Sequence, residues 1–339
     1  MNQIQQEDIK EFSKSFKLQD NLTDSSFLIT GATGLIGSTL VHCLLAMDRS
    51  IDITCPVRRI EKAKAMYENE FEKIHFVECD LLAYLNGLST DDCFQYIVHC
   101  ASPTAGKYMT EHPVETYLLA IDSTKAILEY ARKSIPKGVV YVSSLEYYGQ
   151  NFDDSIITED KLGYVDGTDS RSSYPLGKRA AEYLCAAYAK EYGVKAMIAR
   201  LTQTFGAGVS PNDNRVFAQF ARSIIASENI VLHTTGKSAK PYCYTTDCIS
   251  AILYILLKGE AGEAYNVANE MTYITIREMA ELLCAEFNPS CKVVLDLHND
   301  MGYAPVTKLN LSTDKLRALG WRPGFGLKEM FDKLIASIK

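Results

Sequence analysis

The sequence predicts an α/β protein in which a doubly wound parallel sheet is followed by a smaller mixed α/β C-terminal lobe. Short apolar, β-branched runs alternate with helix-length amphipathic segments, a glycine-rich turn follows the first run, and the alternation ends near Thr202. Alternating strands and helices are typical of a parallel sheet with helices on both faces. The six predicted strands are residues 27–30, 51–57, 74–77, 96–100, 139–143 and 195–201.

Size and charge narrow the class of protein. The chain has 339 residues, of which 47% are apolar and 23% charged, which is enough for one large domain or two unequal ones. The formal net charge of -7, without a basic run, argues against nucleic acid and favours a small-molecule partner. No apolar run approaches the roughly 18 residues of a membrane span, and the first residues lack the apolar segment of a signal peptide. We therefore expect a cytoplasmic protein with no membrane partner.

The ten cysteines do not suggest a metal site. They are scattered, and no two are spaced as zinc ligands with histidines around them. We expect small buried hydrophobic side chains in a reducing compartment, and no bound metal.

Changes of pattern along the chain predict three regions. Residues 1–24 form an N-terminal helical extension, because Ile9, Phe12 and Phe16 recur at helical spacing, and we expect it on the surface or on a second subunit. Residues 25–201 form the sheet domain. Glycine, proline and asparagine crowd residues 206–214, so residues 202–244 and 259–339 are assigned to the smaller lobe. Residues 215–226 are predicted to form a helix there, and residues 245–258 a helix that returns to the sheet domain.

The glycine-rich turn predicts a dinucleotide site of the Rossmann type. Gly31, Gly34 and Gly37 follow the first strand and precede a helix expected to begin near Ser38. Gly31 permits the tight turn, Gly34 lets the backbone approach a pyrophosphate, and Gly37 allows close helix packing, while the helix N-terminus offers unpaired N–H groups.

The end of the second strand bears on the choice between NAD and NADP. NAD sites usually place an Asp or Glu there for the ribose hydroxyls, but this strand is followed by Arg58 and Arg59. An arginine suits a 2′-phosphate and gives a slight preference for NADP. The alternative is that Arg58 stacks on adenine and Arg59 is a solvated surface charge.

A tyrosine and a lysine supply the predicted acid–base chemistry. Tyr174 and Lys178 lie four residues apart at the start of a helix, so they share one face. A phenol is a poor base at neutral pH, but a neighbouring ammonium and a cationic nicotinamide favour the phenolate, which exchanges a proton with a hydroxyl. Ser144 ends the strand about thirty residues earlier and is expected to stabilise charge on the reacting oxygen.

These motifs together resemble the extended short-chain dehydrogenase/reductase superfamily, in particular its NAD-dependent nucleotide-sugar epimerases and dehydratases. Residues 171–182 are especially similar to UDP-glucuronate decarboxylases. The stretches that carry the resemblance are Gly31-Ala-Thr-Gly-Leu-Ile-Gly37, His99-Cys-Ala-Ser-Pro103, Arg171-Ser-Ser-Tyr-Pro-Leu-Gly-Lys-Arg179, Ala199-Arg-Leu-Thr-Gln-Thr-Phe-Gly206 and Asp314-Lys-Leu-Arg-Ala-Leu-Gly-Trp321. The resemblance implies a nucleoside-diphosphate sugar bound between the lobes and a homodimer.

The resemblance also implies which residues bind the two ligands. Asp80 would contact adenine, although an Asp at a strand end is also a common helix cap. Lys240 stands where the decarboxylases have an arginine, and Gln203 replaces an asparagine. The implied cofactor residues are Gly31, Thr33, Gly34, Leu35, Ile36, Gly37, Arg58, Asp80, Leu81, Ala101 and Lys178. The implied substrate residues are Ser102, Ser143, Gln203, Asn212, Arg215, Leu232 and Lys240.

The two residues after Ser144 bear on the reaction. Related 4,6-dehydratases carry Asp-Glu there and the decarboxylases Ser-Glu, whereas this chain has Leu145-Glu146. Leu145 has no proton to give, while Glu146 is either a base or a hydrogen-bonding partner. Epimerisation through a transient keto-sugar needs least from these positions and is the main prediction. Decarboxylation, 4,6-dehydration, NADPH-dependent reduction of a keto-sugar, and a non-catalytic sensor or scaffold remain alternatives.

Overall fold

Seven parallel strands form the large sheet of the protein. The computed structural model describes residues 1–103, 106–297 and 306–339. In the described chain the strands are β1 Ser25–Thr30, β2 Ile51–Val57, β3 His75–Glu78, β4 Tyr96–His99, β5 Gly138–Ser144, β6 Ile156–Ile157, β7 Ala196–Leu201, β8 Gln203–Phe205, β9 Ile230–Leu232, β10 Ala239–Tyr244, β11 Ala264–Val267, β12 Asn269–Thr275, β13 Val293–Leu295 and β14 Asn310–Leu311. The large sheet has the order β11-β7-β5-β4-β1-β2-β3. This order reverses direction beside β1, where doubly wound sheets bind dinucleotides.

Helices cover both faces of the sheet. They are α1 Gln3–Ser15, α2 Leu35–Ala46, α3 Ile60–Met66, α4 Leu81–Gly87, α5 Gly106–Glu111, α6 Pro113–Ser134, α7 Ser173–Tyr192, α8 Val216–Ile225, α9 Thr245–Lys258, α10 Ile276–Phe287, α11 Asp314–Ala318 and α12 Leu327–Ile338. One apolar core lies between the sheet and α2 and α9, and the other lies between the sheet and α4, α6 and α7. In the described parts of the chain, no helix combines the length and apolar content needed to cross a membrane.

The smaller lobe has a separate core. Its three-stranded sheet has the order β12-β10-β8, with β10 antiparallel to β12 and parallel to β8. Apolar side chains from this sheet pack with α8, α10 and α12, including stacked rings of Phe205 and Phe217 at 4.5 Å between centroids. Two short parallel pairs, β9 with β13 and β6 with β14, complete the lobe.

The structure shows where two segments of the chain pack. The N-terminal helix packs on the outside of α2 and α9, with Ile9, Phe12 and Phe16 buried in the core that it shares with them. In addition, β11 pairs with β7 in the large sheet, although residues 259–339 were expected in the smaller lobe. The β11 segment is four residues long and follows a helix already assigned to the sheet domain, so sequence spacing alone did not separate it from the lobe.

The predicted regular elements agree with the structure to within three residues at either end. The helix expected at 245–258 is α9, with the same bounds, and it packs on β5 and β7. The helix expected at 215–226 is α8, Val216–Ile225. The helix expected near Ser38 begins earlier, at Leu35, because Gly34 is its N-cap. This shift brings the first turn of α2 directly into the glycine-rich loop.

Candidate active site

The glycine-rich loop forms a compact backbone cradle at the end of β1. Gly31 adopts a φ of +73°, and a Cβ there would lie 2.8 Å from the backbone nitrogen of Ala101. A Cβ on Gly37 would lie 2.3 Å from the carbonyl oxygen of Gly31. Neither position has space for a side chain, which accounts for both glycines.

The first turn of α2 faces this cradle with free backbone donors. The first intrahelical bond runs from the Ser38 N–H to the Gly34 carbonyl at 2.9 Å, so the N–H groups of Leu35, Ile36 and Gly37 have no partner within the helix. The Thr33 carbonyl accepts a bond from the Lys62 ammonium at 2.9 Å. Donors and a dipole of this kind fit a diphosphate, so the loop is suited to a nicotinamide dinucleotide.

A buried histidine fixes the loop that closes over Gly31. The Ala101 N–H donates to the Thr30 hydroxyl at 3.1 Å, and the same hydroxyl lies 2.6 Å from His99 Nδ1. His99 Nε2 lies 2.9 Å from the Ser123 hydroxyl. Burial lowers the pKa of His99 to about 3, so the ring is neutral. The imidazole therefore links β1, β4 and α6, a role that sequence reasoning missed because its partners are distant in the chain.

Residues expected around the adenosine lie on the surface beside this loop. Arg58 is exposed at the end of β2. Asp80 is exposed and caps α4, since its carboxylate accepts a bond from the Ala83 N–H at 2.9 Å. Leu81 is half-buried against the core beneath α4. Asp80, Glu111 and Glu115 line one shallow concavity, which makes this side of the loop acidic.

Tyr174 and Lys178 meet Ser144 and Ser102 where β4, β5 and α7 converge. Ser144 and Ser102 lie near enough to the Tyr174 phenol to lower its pKa, and the Ser144 hydroxyl accepts a hydrogen bond from the Glu146 N–H at 3.2 Å. The Lys178 ammonium is buried, donates to the Val142 carbonyl at 2.8 Å, and lies 5.5 Å from the centre of the Tyr174 ring. The structure thus brings together a phenol, an ammonium and two hydroxyls.

Burial determines how strongly Tyr174 and Lys178 hold their protons. Burial raises the pKa of the phenol well above its usual value and the charge of Glu146 adds to this, while Ser144 and Ser102 oppose it. Burial also lowers the pKa of Lys178 to about 8, although Glu182 and Glu146 act in the opposite direction. The phenolate therefore needs positive charge beside the ring, and the sequence did not reveal how deeply the pair is buried.

Glu146 interacts electrostatically with both Tyr174 and Lys240. Glu146 lies in a short turn, Leu145–Tyr148, that follows β5, and the residue is exposed to solvent. Desolvation by the surrounding protein raises the pKa of Glu146, and Lys240 and then Lys178 lower it. Burial likewise lowers the pKa of Lys240, and Glu146 opposes the change. Leu145 instead packs into an apolar cluster with Tyr148 and Ile157.

Several expected substrate residues lie away from this cleft. Ser143 is buried and donates to Glu182, because neighbouring residues of a strand point to opposite faces and Ser144 already faces the cleft. Leu232 is buried in the core of the smaller lobe. These two positions are corrections, and the alternation of the strand predicts the first of them.

The remaining expected substrate residues lie in the smaller lobe. Arg215 is half-buried and paired with Asp213, with Nη2 to Oδ2 at 2.6 Å. Asn212 is exposed on the same loop. Gln203 is half-buried on β8, opposite Tyr242 of β10. None of these three contacts the tyrosine cluster directly, so any role they have lies further along a bound substrate.

A buried ion pair behind the cleft was missed by sequence reasoning. Arg200 on β7 and Glu182 on α7 are buried, and Nη2 lies 2.7 Å from Oε2. Arg200 also donates to the Tyr148 hydroxyl at 2.9 Å and lies 3.5 Å from the centre of the Tyr147 ring. These contacts fix the turn that carries Glu146. An arginine within the apolar strand 196–201 was the available signal.

The fold and the glycine-rich loop are those of an enzyme that binds a nicotinamide dinucleotide, and a tyrosine, a lysine and two serines are grouped beside that loop. Among the described residues, His, Cys, Asp and Glu side chains form no group of three that could ligate a metal. The model of the NAD dependent epimerase/dehydratase family matches residues 27–268, and the chain belongs to this family.

Two sets of relatives were found. UDP-glucuronic acid decarboxylase 5 of Arabidopsis thaliana is 27% identical over 310 residues, covering 89% of this chain and 86% of that protein. UDP-glucuronic acid decarboxylase 1 of Danio rerio is 25% identical, covering 91% and 71%. Among solved structures, UDP-glucose 4-epimerase of Thermotoga maritima with UDP-glucose superposes with a TM-score of 0.78 at 20% identity, covering 92% and 98%. UDP-glucuronic acid 4-epimerase of Bacillus cereus in complex with NAD gives 0.73 at 19%, with the same coverage.

Proposed function

We propose that this enzyme is an NAD-dependent epimerase of a nucleoside-diphosphate sugar that works through a transient keto-sugar. The observation that carries the proposal is the grouping of Tyr174 with Ser144 and Ser102, together with the burial of Leu145 in an apolar cluster. Epimerisation at a hydroxyl-bearing carbon needs one group to take a proton and return it. Dehydration needs a further acid at the position that Leu145 occupies.

The proposed reaction follows from the residues that surround one sugar hydroxyl. A bound nicotinamide dinucleotide would supply the acceptor and later the donor of hydride. Tyr174, as the phenolate, takes the hydroxyl proton while the carbon loses its hydride, and it returns the proton when hydride is added to the opposite face of the ketone. Ser144 and Ser102 donate hydrogen bonds to the oxygen on which charge develops.

Lys178 has a defined task in this proposal. Because burial raises the pKa of Tyr174, formation of the phenolate requires a positive charge beside the ring. The Lys178 ammonium lies 5.5 Å from the ring centre and is held by the Val142 carbonyl. It would also hold the nicotinamide ribose, while the first turn of α2 would hold the diphosphate.

NAD is the proposed cofactor, rather than NADP. Arg58 favours a 2′-phosphate, but four carboxylates line the concavity that includes Asp80. A phosphate dianion near Asp80, Glu111 and Glu115 would be repelled, whereas ribose hydroxyls would not. The family description and the neighbouring structures that contain NAD support the same choice. We expect the dissociation constant of NADP to be about tenfold or more above that of NAD, equivalent to roughly 1.4 kcal/mol.

Decarboxylation of a UDP-hexuronate is the second candidate. It is supported by the names of the sequence relatives and by the Lys240–Glu146 pair, which places a cation and a carboxylate beside the tyrosine. A cation at this place suits a sugar carboxylate as well as a diphosphate.

Product analysis separates these candidates. Purified enzyme with NAD is incubated with UDP-glucose, UDP-galactose and UDP-glucuronate, with GDP-, CDP- and dTDP-sugars in parallel, and products are identified by mass spectrometry and NMR. The epimerase proposal predicts a product of unchanged mass and inverted configuration, with no net use of cofactor. Release of CO₂ from UDP-glucuronate would replace it by decarboxylation. Stoichiometric oxidation of NADPH in a parallel incubation with a keto-sugar would indicate a reductase, and failure with every sugar would favour a sensor or scaffold.

A further inference from the structure

The N-terminal helix α1 carries a buried carboxylate that faces the smaller lobe. Asp8 is 4% exposed and accepts hydrogen bonds from the Tyr244 hydroxyl and from the Lys333 ammonium, the latter at 2.6 Å. Tyr244 lies at the junction of β10 and α9, and Lys333 lies on α12. One side chain of α1 is therefore bonded to two elements that are distant in sequence.

Tyr244 connects Asp8 to the loop that follows β8. Its ring is buried and packs on Phe325 with 4.3 Å between centroids. Its hydroxyl accepts a hydrogen bond from the Ala207 N–H at 3.4 Å. Residues 206–209 follow β8 and lead towards Asn212 and Arg215. Asp8 therefore orients the Tyr244 hydroxyl, which in turn holds the start of this loop.

The same loop contacts the first turn of α2 and the first turns of α1. A Cβ on Gly208 would lie 2.9 Å from Gln5 Nε2 and 3.2 Å from Leu35 Cδ1. Gln5, Gly208 and Leu35 thus meet at one point. Leu35 is the first residue of α2, whose free N–H groups form the proposed diphosphate site.

We propose that Asp8 is a positioning residue that, through Tyr244, holds residues 206–209 against the first turn of α2. The carboxylate acts on neither cofactor nor sugar. It fixes the spacing between the loop of the smaller lobe and the dinucleotide loop, so that both binding surfaces exist before either ligand arrives. Preorganisation of this kind lowers the ordering cost of binding and is felt in Kd and KM more than in kcat.

The competing explanation is that α1 only adds apolar contacts to the core. The two explanations differ in what Asp8 and Ile9, which are neighbours on α1, contribute. Ile9 is 5% exposed and packs into the core, so Ile9→Ala removes apolar contacts and leaves the Asp8 bonds in place. Glu11 on the same helix is exposed and provides a control for a changed charge, as Glu11→Ala.

Amide hydrogen exchange and NAD binding test the proposal without knowledge of the sugar. We expect Asp8→Ala and Tyr244→Phe to raise exchange at the hydrogen-bonded amides of Ala207 and Ser38 by about tenfold, and the Kd of NAD by about fivefold, the loss that one hydrogen bond of roughly 1 kcal/mol represents. Ile9→Ala should lower the melting temperature at least as much, yet change exchange at these amides and the Kd by less than about twofold. Glu11→Ala should change neither.

A conservative double variant completes the design. In Asp8→Asn/Lys333→Met, the amide oxygen of the asparagine still accepts the hydrogen bond from the Tyr244 hydroxyl. The second substitution removes the Lys333 ammonium, because a neutral amide would leave that charge without a partner. The double variant should therefore restore exchange and NAD affinity to within about threefold of the wild type. The proposal is overturned if Ile9→Ala loosens these amides as much as Asp8→Ala does at equal loss of stability, if Asp8→Ala leaves them unchanged, or if the double variant shows no recovery.

Discussion

At the scale of single residues, the environment of Tyr174 opposes the loss of its phenol proton. Burial and the Glu146 charge hold its proton, and two serine hydroxyls and Lys178 surround the same ring. A phenol with a raised pKa is a weak acid, so it gives up its proton only to a stronger base such as an alkoxide, and it becomes a base only when positive charge is near. We therefore expect proton transfer by Tyr174 only when ligands occupy the site.

Replacing the phenol tests this role directly. We expect Tyr174→Phe to reduce turnover by at least about 100-fold, because one positioned acid–base group contributes roughly 10² to 10⁴ in rate. NAD affinity and the melting temperature should change little, since the ring stays in place. The measurement is kcat with the substrate identified by product analysis, and Tyr183→Phe, an exposed tyrosine on the same helix, is the matched control. Turnover above about a tenth of the wild-type rate would contradict the assignment.

The lowered pKa of Lys178 predicts that cofactor binding depends on pH. Its pKa is lowered to about 8 by burial, so the ammonium is present below that pH and is lost above it. A charged donor binds ribose hydroxyls more strongly than a neutral amine, so the Kd of NAD should rise about threefold to tenfold between pH 7 and 9. Calorimetric titration across this range measures it. Lys178→Met should bind more weakly and show no such rise, and an equal rise in the variant would assign it to another group.

At the scale of elements, the loop between β1 and α2 depends on the absence of side chains. Gly37 lies against the backbone of Gly31, and that contact sets the angle at which the first turn of α2 faces the cradle. The helix cannot move away without withdrawing its free N–H groups from the diphosphate position.

Gly37→Ala should therefore impair cofactor binding more than folding. Its Cβ would lie 2.3 Å from the Gly31 carbonyl oxygen, which requires α2 to shift. We expect the Kd of NAD to rise by about tenfold or more, a cost of at least roughly 1.4 kcal/mol, while circular dichroism stays native. Gly87→Ala is the control, because no atom lies within 4 Å of the corresponding Cβ in the structure. Equal NAD affinity in Gly37→Ala and the wild type would refute this account.

The sequence predicted the secondary-structure elements, and the residues placed by local patterns within them, better than the contacts between elements. The glycine spacing and the four-residue separation of Tyr174 and Lys178 are local patterns, and local geometry determines what they form. Ser102 and Lys240 reach the cleft from separate elements, so the sequence placed them there only through resemblance. Ser143 and Leu232 show the limit of assigning site residues by resemblance, since position in a strand decides which face a side chain occupies.

At the scale of the whole molecule, the Arg200–Glu182 pair joins the sheet to α7 and supports the turn that carries Glu146. Burial of both partners was not visible in the sequence, because each lies in a segment that is otherwise apolar or amphipathic. A buried charge is tolerated only with its partner in place, so the pair constrains both elements at once.

Removing one partner should destabilise the whole fold. We expect Glu182→Leu to lower the free energy of unfolding by about 3–5 kcal/mol, because Arg200 is left without a counter-charge in the interior. Urea unfolding measures it. Glu182→Leu/Arg200→Met should recover part of the loss, and Glu281→Gln, in the exposed pair with Arg277, should cost no more than about 0.5 kcal/mol. A loss below about 1 kcal/mol for Glu182→Leu would show that the interior accepts the unpaired guanidinium.

The seventh strand has a consequence for how the chain reaches its native state. Residues 264–267 complete the large sheet only after the chain has passed through β8, α8, β9, β10 and α9. During synthesis, β7 is therefore an open, apolar sheet edge until more than sixty further residues have emerged, as the numbering of β7 and β11 shows. Such edges readily pair with other chains. A fragment cut at residue 201, the boundary suggested by the sequence pattern, would keep that edge permanently exposed and is expected to aggregate.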